Sequence, residues 1–304
     1  MGTGSEERLP GVKVGTNGLL YIVLIVVWGV VWPLSKVALD ACPPVLFAGL
    51  RVLLSGIVLL PFAVRHLTRE ALRVNLVLAL LNVFLFYGLQ NLALQHAPAG
   101  LVSILVYIQP VVTVLLARLW LNEGLNAIKL AGVVLGFVGV GLISLDQVRG
   151  HHADALGALL ALMAGLSWAL GTVVYKKYRT RPHPIQDMGI QLMVGGVLLL
   201  GLGSLTERWA LIAWSGPFLG ELAFVGLLGT ALAWIIWSRL LHSADASRVA
   251  TWTFLVPILA TILSVLWLKE TLTATVWVGG AFVMLGLYGV NGVPLRRAIA
   301  GRQP

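Results

Sequence analysis

The chain has 304 residues, 59% of them hydrophobic and only 11% charged, at a mean hydropathy of +0.93. A soluble domain carries about 25% charged residues, so water is excluded as the main solvent of this surface. The formal charge is +9, but the Lys and Arg residues are spread over separate loops rather than gathered in one patch, which argues against nucleic acid as a partner.

Near the start, Glu6, Glu7, Arg8 and Lys13 mix both signs, and no small-residue cleavage site follows the first apolar run. That run is therefore expected to stay as a helix rather than be removed as a signal peptide. Apolar windows of about 18 to 25 residues recur from Leu19 onward, each long enough to cross about 30 Å of hydrocarbon as helix. The pattern predicts ten spans: 18–38, 44–65, 73–95, 98–120, 127–145, 155–177, 184–204, 217–241, 245–268 and 274–293. Runs this long do not fit the alternating segments of a β-barrel, and the short connections leave no room for a soluble domain. The fold class is all-α, a polytopic membrane protein.

Span 1 carries Trp28 and Trp32 one turn apart, and the single cysteine, Cys42, follows it and excludes an internal disulfide. Arg51 is the one charge deep in a span. It either holds a substrate carboxylate or structural acid, or snorkels to the interface. Spans 3 and 4 hold uncharged polar residues, Asn82, Tyr87, Gln90 and Asn91, then Ser103, Tyr107 and Gln109, which are costly against lipid and should face one another or a wet cavity. Pro110 lies near the middle of span 4, where a proline removes a backbone hydrogen bond and bends the helix. Gly132 and Gly136 in span 5 read as a close-packing face, with a dimer interface as the alternative to a monomer.

The second half repeats these themes. Trp168 and Tyr175 lie in span 6, Thr230, Trp234 and Trp237 in span 8, Pro257 in span 9, and Gly279 and Gly286 in span 10. Trp209, Trp214, Trp267 and Trp277 are assigned to the interfacial belt. Gly165-Leu166-Ser167 is a fragment of a serine-nucleophile motif with no histidine at matching depth, so no enzyme is expected. His151-His152 lacks further ligands, and neither a metal site, a cofactor nor a Walker A loop is expected. Asp40, Glu123, Asp146, Asp187, Asp245 and Glu270 all fall near span ends. With no carboxylate at mid-membrane, facilitated diffusion is favoured over proton antiport.

Sixteen of the 21 Lys and Arg residues lie on the side of the N-terminus, four lie opposite, and Arg51 is within span 2. The positive-inside rule then puts both termini in the cytoplasm. Sliding the chain on itself by 147 residues lays Leu119-Trp120-Leu121-Asn122-Glu123 on Leu266-Trp267-Leu268-Lys269-Glu270, Pro110 on Pro257 and Gly132 on Gly279. At an offset of 140, Trp28 falls on Trp168, Lys36 on Lys176 and Pro44 on Pro184. Two five-helix repeats, residues 1–147 and 152–304, are expected, and five being odd, the second must enter the membrane inverted. Such repeats serve alternating access.

The Trp28-Gly29 and Trp32 run, the paired prolines Pro110 and Pro257, and the W-L-x-E ends at Trp120 and Trp267 resemble the drug/metabolite transporter superfamily and its EamA-type ten-helix members. Within that group the chain looks most like bacterial amino-acid exporters of the YddG kind. The resemblance implies inner-membrane export of small metabolites from a central cavity, with drug or polyamine efflux by proton antiport as the alternative. Trp28, Trp32, Asn82, Tyr87, Asn91, Ser103, Tyr107, Trp168, Trp234 and Trp237 are the expected substrate-binding residues, and Pro110 and Pro257 the expected hinges. Interfacial packing of the aromatics and helix–helix hydrogen bonds of the polar residues are the competing roles.

Overall fold

The structure, a computed structural model, describes residues 14–63, 69–97, 102, 105–148, 155–178, 184–259, 263 and 274–291. Within them the chain forms α1 (Val14–Ala41), α2 (Pro44–Ala63), α3 (Arg69–His96), α4 (Gln109–Trp120) and α5 (Ala127–Val148). The second half gives α6 (Ala155–Tyr178), α7 (Pro184–Thr206), α8 (Gly216–Ser243), α9 (Ala246–Leu259) and α10 (Ala274–Asn291). No strand occurs among the described residues. By their described residues, α1, α2, α3, α6, α7 and α8 are long and apolar enough to cross a membrane, and α4, α5, α9 and α10 carry apolar helical stretches of 10–17 described residues, Gln109–Trp120, Ala127–Leu142, Ala246–Leu259 and Trp277–Val290. Large apolar side chains such as Ile57, Phe62, Val197 and Met284 stay exposed, as a surface solvated by lipid requires.

Helices of one half pack on their counterparts in the other. The two most extensive pairings are α2 along α7 and α5 along α10. Both rely on glycine to let backbones approach. A Cβ on Gly56 would lie 2.7 Å from the Met193 backbone, and one on Gly139 would lie 2.5 Å from the Gly279 carbonyl. Gly132 and Gly286 face each other in the same way, so this glycine face is used inside the chain.

Two further devices recur in both halves. Lys36 on α1 donates to the Leu94 carbonyl at the end of α3 (3.4 Å), and Lys176 on α6 donates to the carbonyls of Leu241 and Ala244 (2.8 Å to Ala244) at the end of α8. Each lysine satisfies carbonyls that a helix C-terminus leaves open, where the helix dipole favours a cation. Both α3 and α8 also contain a π-helical stretch, Ala79–Leu85 and Phe224–Leu232. The α3 stretch lies on α7 and the α8 stretch on α2, again crossing between halves.

The W-L-N-E end of α4 has a structural role. Asn122 takes a positive φ of 54°, which ends the helix and turns Glu123 toward α9. The Glu123 carboxylate accepts from the backbone N–H groups of Ala246 (2.7 Å) and Ser247 (3.3 Å) and from the Ser247 hydroxyl. This caps the first turn of α9 with a negative charge. Glu207 does the same for α2, accepting from Val45 N (3.0 Å) and Leu46 N (2.8 Å).

The prolines sit differently from the mid-helix bends expected of them. Residues 107–108 form a turn in which Ile108 N donates to Leu105 O, and α4 begins after it, placing Pro110 in the first helical turn. There the missing N–H costs nothing, because first-turn N–H groups have no intrahelical acceptor. In α9 a turn at 253–254 likewise interrupts the helix just before Pro257.

Candidate functional site

The π stretches position the central side chains. Each ends two residues before one member of a cavity aromatic pair, Tyr87 on α3 and Trp234 on α8. An i→i+5 turn inserts an extra residue, rotating everything after it relative to the helix face before it. Its loosened carbonyls are taken up by neighbours. Trp28 Nε1 donates to Gly229 O (3.2 Å), Ser55 Oγ to Gly226 O (2.6 Å), and Ser167 Oγ to Leu81 O (2.7 Å). Ser167 is thus a helix–helix donor rather than a nucleophile.

Between the halves lies a cavity of about 390 Å³, counting its open mouth, lined by Trp28, Val31, Trp32, Arg51, Phe86, Tyr87, Gln90, Tyr107, Trp168 and Trp234. Residues related by the repeat meet in its lining. Trp28 and Trp168, equivalent at the 140 offset, pack edge to face with centroids 5.4 Å apart. Tyr87 and Trp234, equivalent at 147, share a hydrogen bond in which Trp234 Nε1 donates to Tyr87 Oη at 2.7 Å. Phe86 packs on both Trp168 (5.2 Å) and Trp234 (6.3 Å), and Trp32 sits 6.3 Å from Tyr107. The cavity therefore lies on the axis relating the two halves.

Arg51 is the only charged residue in the lining among the described residues, and its side chain is 1% exposed. Its Nε and Nη2 both donate to Thr230 Oγ1 (3.2 and 3.1 Å), and Nη1 reaches Ser35 Oγ at 3.4 Å. Thr230 passes its own proton to Val225 O (2.8 Å), leaving its oxygen free to accept from the guanidinium. The guanidinium carbon lies 4.7 Å from the Tyr87 ring centre, close enough for a cation–π contact. Arg51 therefore points inward to neutral groups instead of snorkelling, and no carboxylate among the described residues pairs with it.

Of the ten residues expected to bind substrate, Trp28, Trp32, Tyr87, Tyr107, Trp168 and Trp234 line this cavity. Trp237 stands behind them, 5.6 Å from Trp28 and 5.5 Å from Trp168. Asn82 is buried away from the cavity against Gly171, where a Cβ would collide with its amide, and Asn91 Nδ2 is tied to Tyr87 O at 2.8 Å. Ser103 lies outside the described residues. Val31 and Phe86 line the site without a polar or periodic signal that marks them in the sequence.

The absence of mid-span carboxylates understated one group. Asp187, in the first turn of α7, is fully buried, because α3, α6 and α8 cover that helix end. Its carboxylate accepts from Asn75 Nδ2 (3.1 Å) and from Tyr175 Oη (3.4 Å), which also lies 3.2 Å from His242 Nε2. Gln191 Nε2 completes the network by donating to Asn75 Oδ1 (3.0 Å).

The EamA-like transporter family model matches this chain twice, over residues 16–145 and 155–292. The chain is 41% identical to an uncharacterized transporter, YvbV, of Bacillus subtilis, over 94% of this chain and 93% of that one. It is 30% identical to a probable amino-acid metabolite efflux pump of Escherichia coli, covering 93% and 97% of the two chains. A solved crystal structure shares the fold at a TM-score of 0.79 and 18% identity, over 93% of this chain and 98% of that chain. With its all-helical membrane architecture and both halves matched, the chain belongs to the EamA-like transporter family of the drug/metabolite transporter superfamily.

Proposed function

We propose that this transporter exports amino acids or related small metabolites across the bacterial inner membrane by alternating access, with both termini cytoplasmic. The observation that carries the reading is the cavity on the axis between the halves, walled by indole and phenol rings and holding one buried cation. Rings at this depth bind flat or apolar side chains. The lone cation opposes polyamines and other cationic drugs. The similarity to an amino-acid metabolite efflux pump supports the same substrate class. Residues 1–147 and 152–304 would act as the two units that exchange conformations.

The test is counterflow in proteoliposomes holding the purified chain, scanned over labelled amino acids and amines. Exchange of neutral amino acids is expected, and it should persist when the pH gradient is collapsed. Exchange confined to amines would sink the reading. Strict dependence on the gradient would instead favour proton antiport, and the buried Asp187–Tyr175–His242 cluster is the observation in favour of that second reading.

A further inference from the structure

We propose that Arg51 is the carboxylate-binding group of the cavity and Gln90 its ammonium-binding partner, so that the site selects small zwitterions and monocarboxylates with a flat apolar side chain over amines. This rests on the export reading and names the subsite within it. A buried guanidinium carries five N–H donors in a rigid fork, shaped to hold a carboxylate by two parallel bonds. In this cavity two of those donors converge on the single oxygen of Thr230 and one reaches Ser35 at the long distance of 3.4 Å. Two N–H donors remain, and the charge meets the Tyr87 and Phe47 rings but no carboxylate among the described residues. A charge buried without an opposite charge is costly, and a bound carboxylate removes that cost only while it stays in place.

Gln90 lies one turn beyond Tyr87 on α3, is 4% exposed, lines the same cavity, and its Oε1 accepts from no described group. An unpaired carbonyl oxygen at a buried site calls for a donor. An ammonium supplies one, and the faces of the surrounding indoles add cation–π attraction. The two halves differ here. The position equivalent to Arg51 is Gln191, which is occupied with Asn75 and does not line the cavity. Among the described residues, the pseudo-symmetric cavity thus holds a single cation, which fixes the orientation of a zwitterion in it.

The test is binding to the detergent-purified full chain, followed by calorimetry and by the fluorescence of the cavity tryptophans, with phenylalanine, 3-phenylpropionate and 2-phenylethylamine as probes. Phenylalanine and phenylpropionate are expected to bind and phenylethylamine to bind at least about tenfold more weakly. Arg51→Gln should weaken both carboxylate probes about tenfold or more, and Arg51→Lys should keep part of the affinity, because it keeps the charge but loses the fork. Gln90→Leu should weaken phenylalanine but leave phenylpropionate unchanged. The selectivity of the unaltered protein decides even where a variant does not fold. Equal binding of phenylethylamine and phenylalanine, or no binding of either carboxylate, overturns the subsite. Carboxylate-selective binding without counterflow would leave the subsite standing and remove the export reading.

Discussion

Cys42 shows how a single side chain takes its chemistry from the fold. The residue sits between α1 and α2, is 3% exposed, and burial, reinforced by the nearby Glu207 carboxylate, pushes its thiol up to about 12. Only the thiolate is nucleophilic, so maleimide at pH 7 should not label the folded chain and should label it fully in SDS. The sign of the pH dependence follows. The folded state keeps its proton where the unfolded thiol, near its ordinary value, has lost it, so stability is intact below about pH 8.5 and falls as pH rises toward 12. Labelling of the native protein should rise over the same range. Rapid labelling at pH 7 would show that this helix junction opens in solution. The native cysteine should then be silent in accessibility experiments on introduced cysteines.

Helix pairs are set by glycine more than by large apolar residues. In α5 a Cβ at Gly139 would lie 2.5 Å from the Gly279 carbonyl, whereas one at Gly141, two residues on, meets nothing within 4 Å. Gly139→Leu should therefore destabilise the protein by about 1–3 kcal/mol through overpacking, and Gly141→Leu should be neutral or slightly stabilising by helix propensity. Thermal unfolding in detergent, read by the loss of monodisperse protein, separates the two. Equal behaviour of both variants would mean that α5 and α10 do not pack as described. The π stretches work at the same scale, since they decide which faces of α3 and α8 reach the cavity.

For the molecule as a whole, the paired interruptions before Pro110 and Pro257 make the shorter helices of each half two-part elements. Replacing either proline by Ala offers the chain a continuous helix across the interruption, which should hold or raise thermal stability while slowing exchange. A bias of about 1.4 kcal/mol between two facing states shifts their ratio about tenfold. Because the halves are inverted copies, Pro110→Ala and Pro257→Ala should favour opposite-facing states, read by accessibility of introduced cysteines from each side on a Cys42→Ser background. Unchanged exchange and accessibility in both would leave the prolines a packing role alone.

The helices were legible in the sequence because lipid imposes a simple rule: about 20 apolar residues must satisfy their own backbone. That rule gives spans such as 184–204 and 217–241 within a few residues of α7 and α8. The equivalence of Trp28 with Trp168 was likewise legible in the repeat, whereas the pairing of Tyr87 with Trp234 emerged only from their hydrogen bond in the fold. What tertiary structure alone decided is which polar groups share a space. Asn82, Gln90 and Asn91 are all side-chain amides of α3, yet only Gln90 lines the cavity. Asn82 sits within the π stretch and packs against Gly171, while Asn91, one residue on from Gln90, points about 100° away around the helix and bonds Tyr87 O. Asp187 reads as a helix-end carboxylate, and only the covering of that end by α3, α6 and α8 buries it. Arg51 stood between interface and cavity by its position in the chain. The choice was made by Thr230 and Ser35, 179 and 16 residues away, whose hydroxyls converge on it only after the two halves have packed.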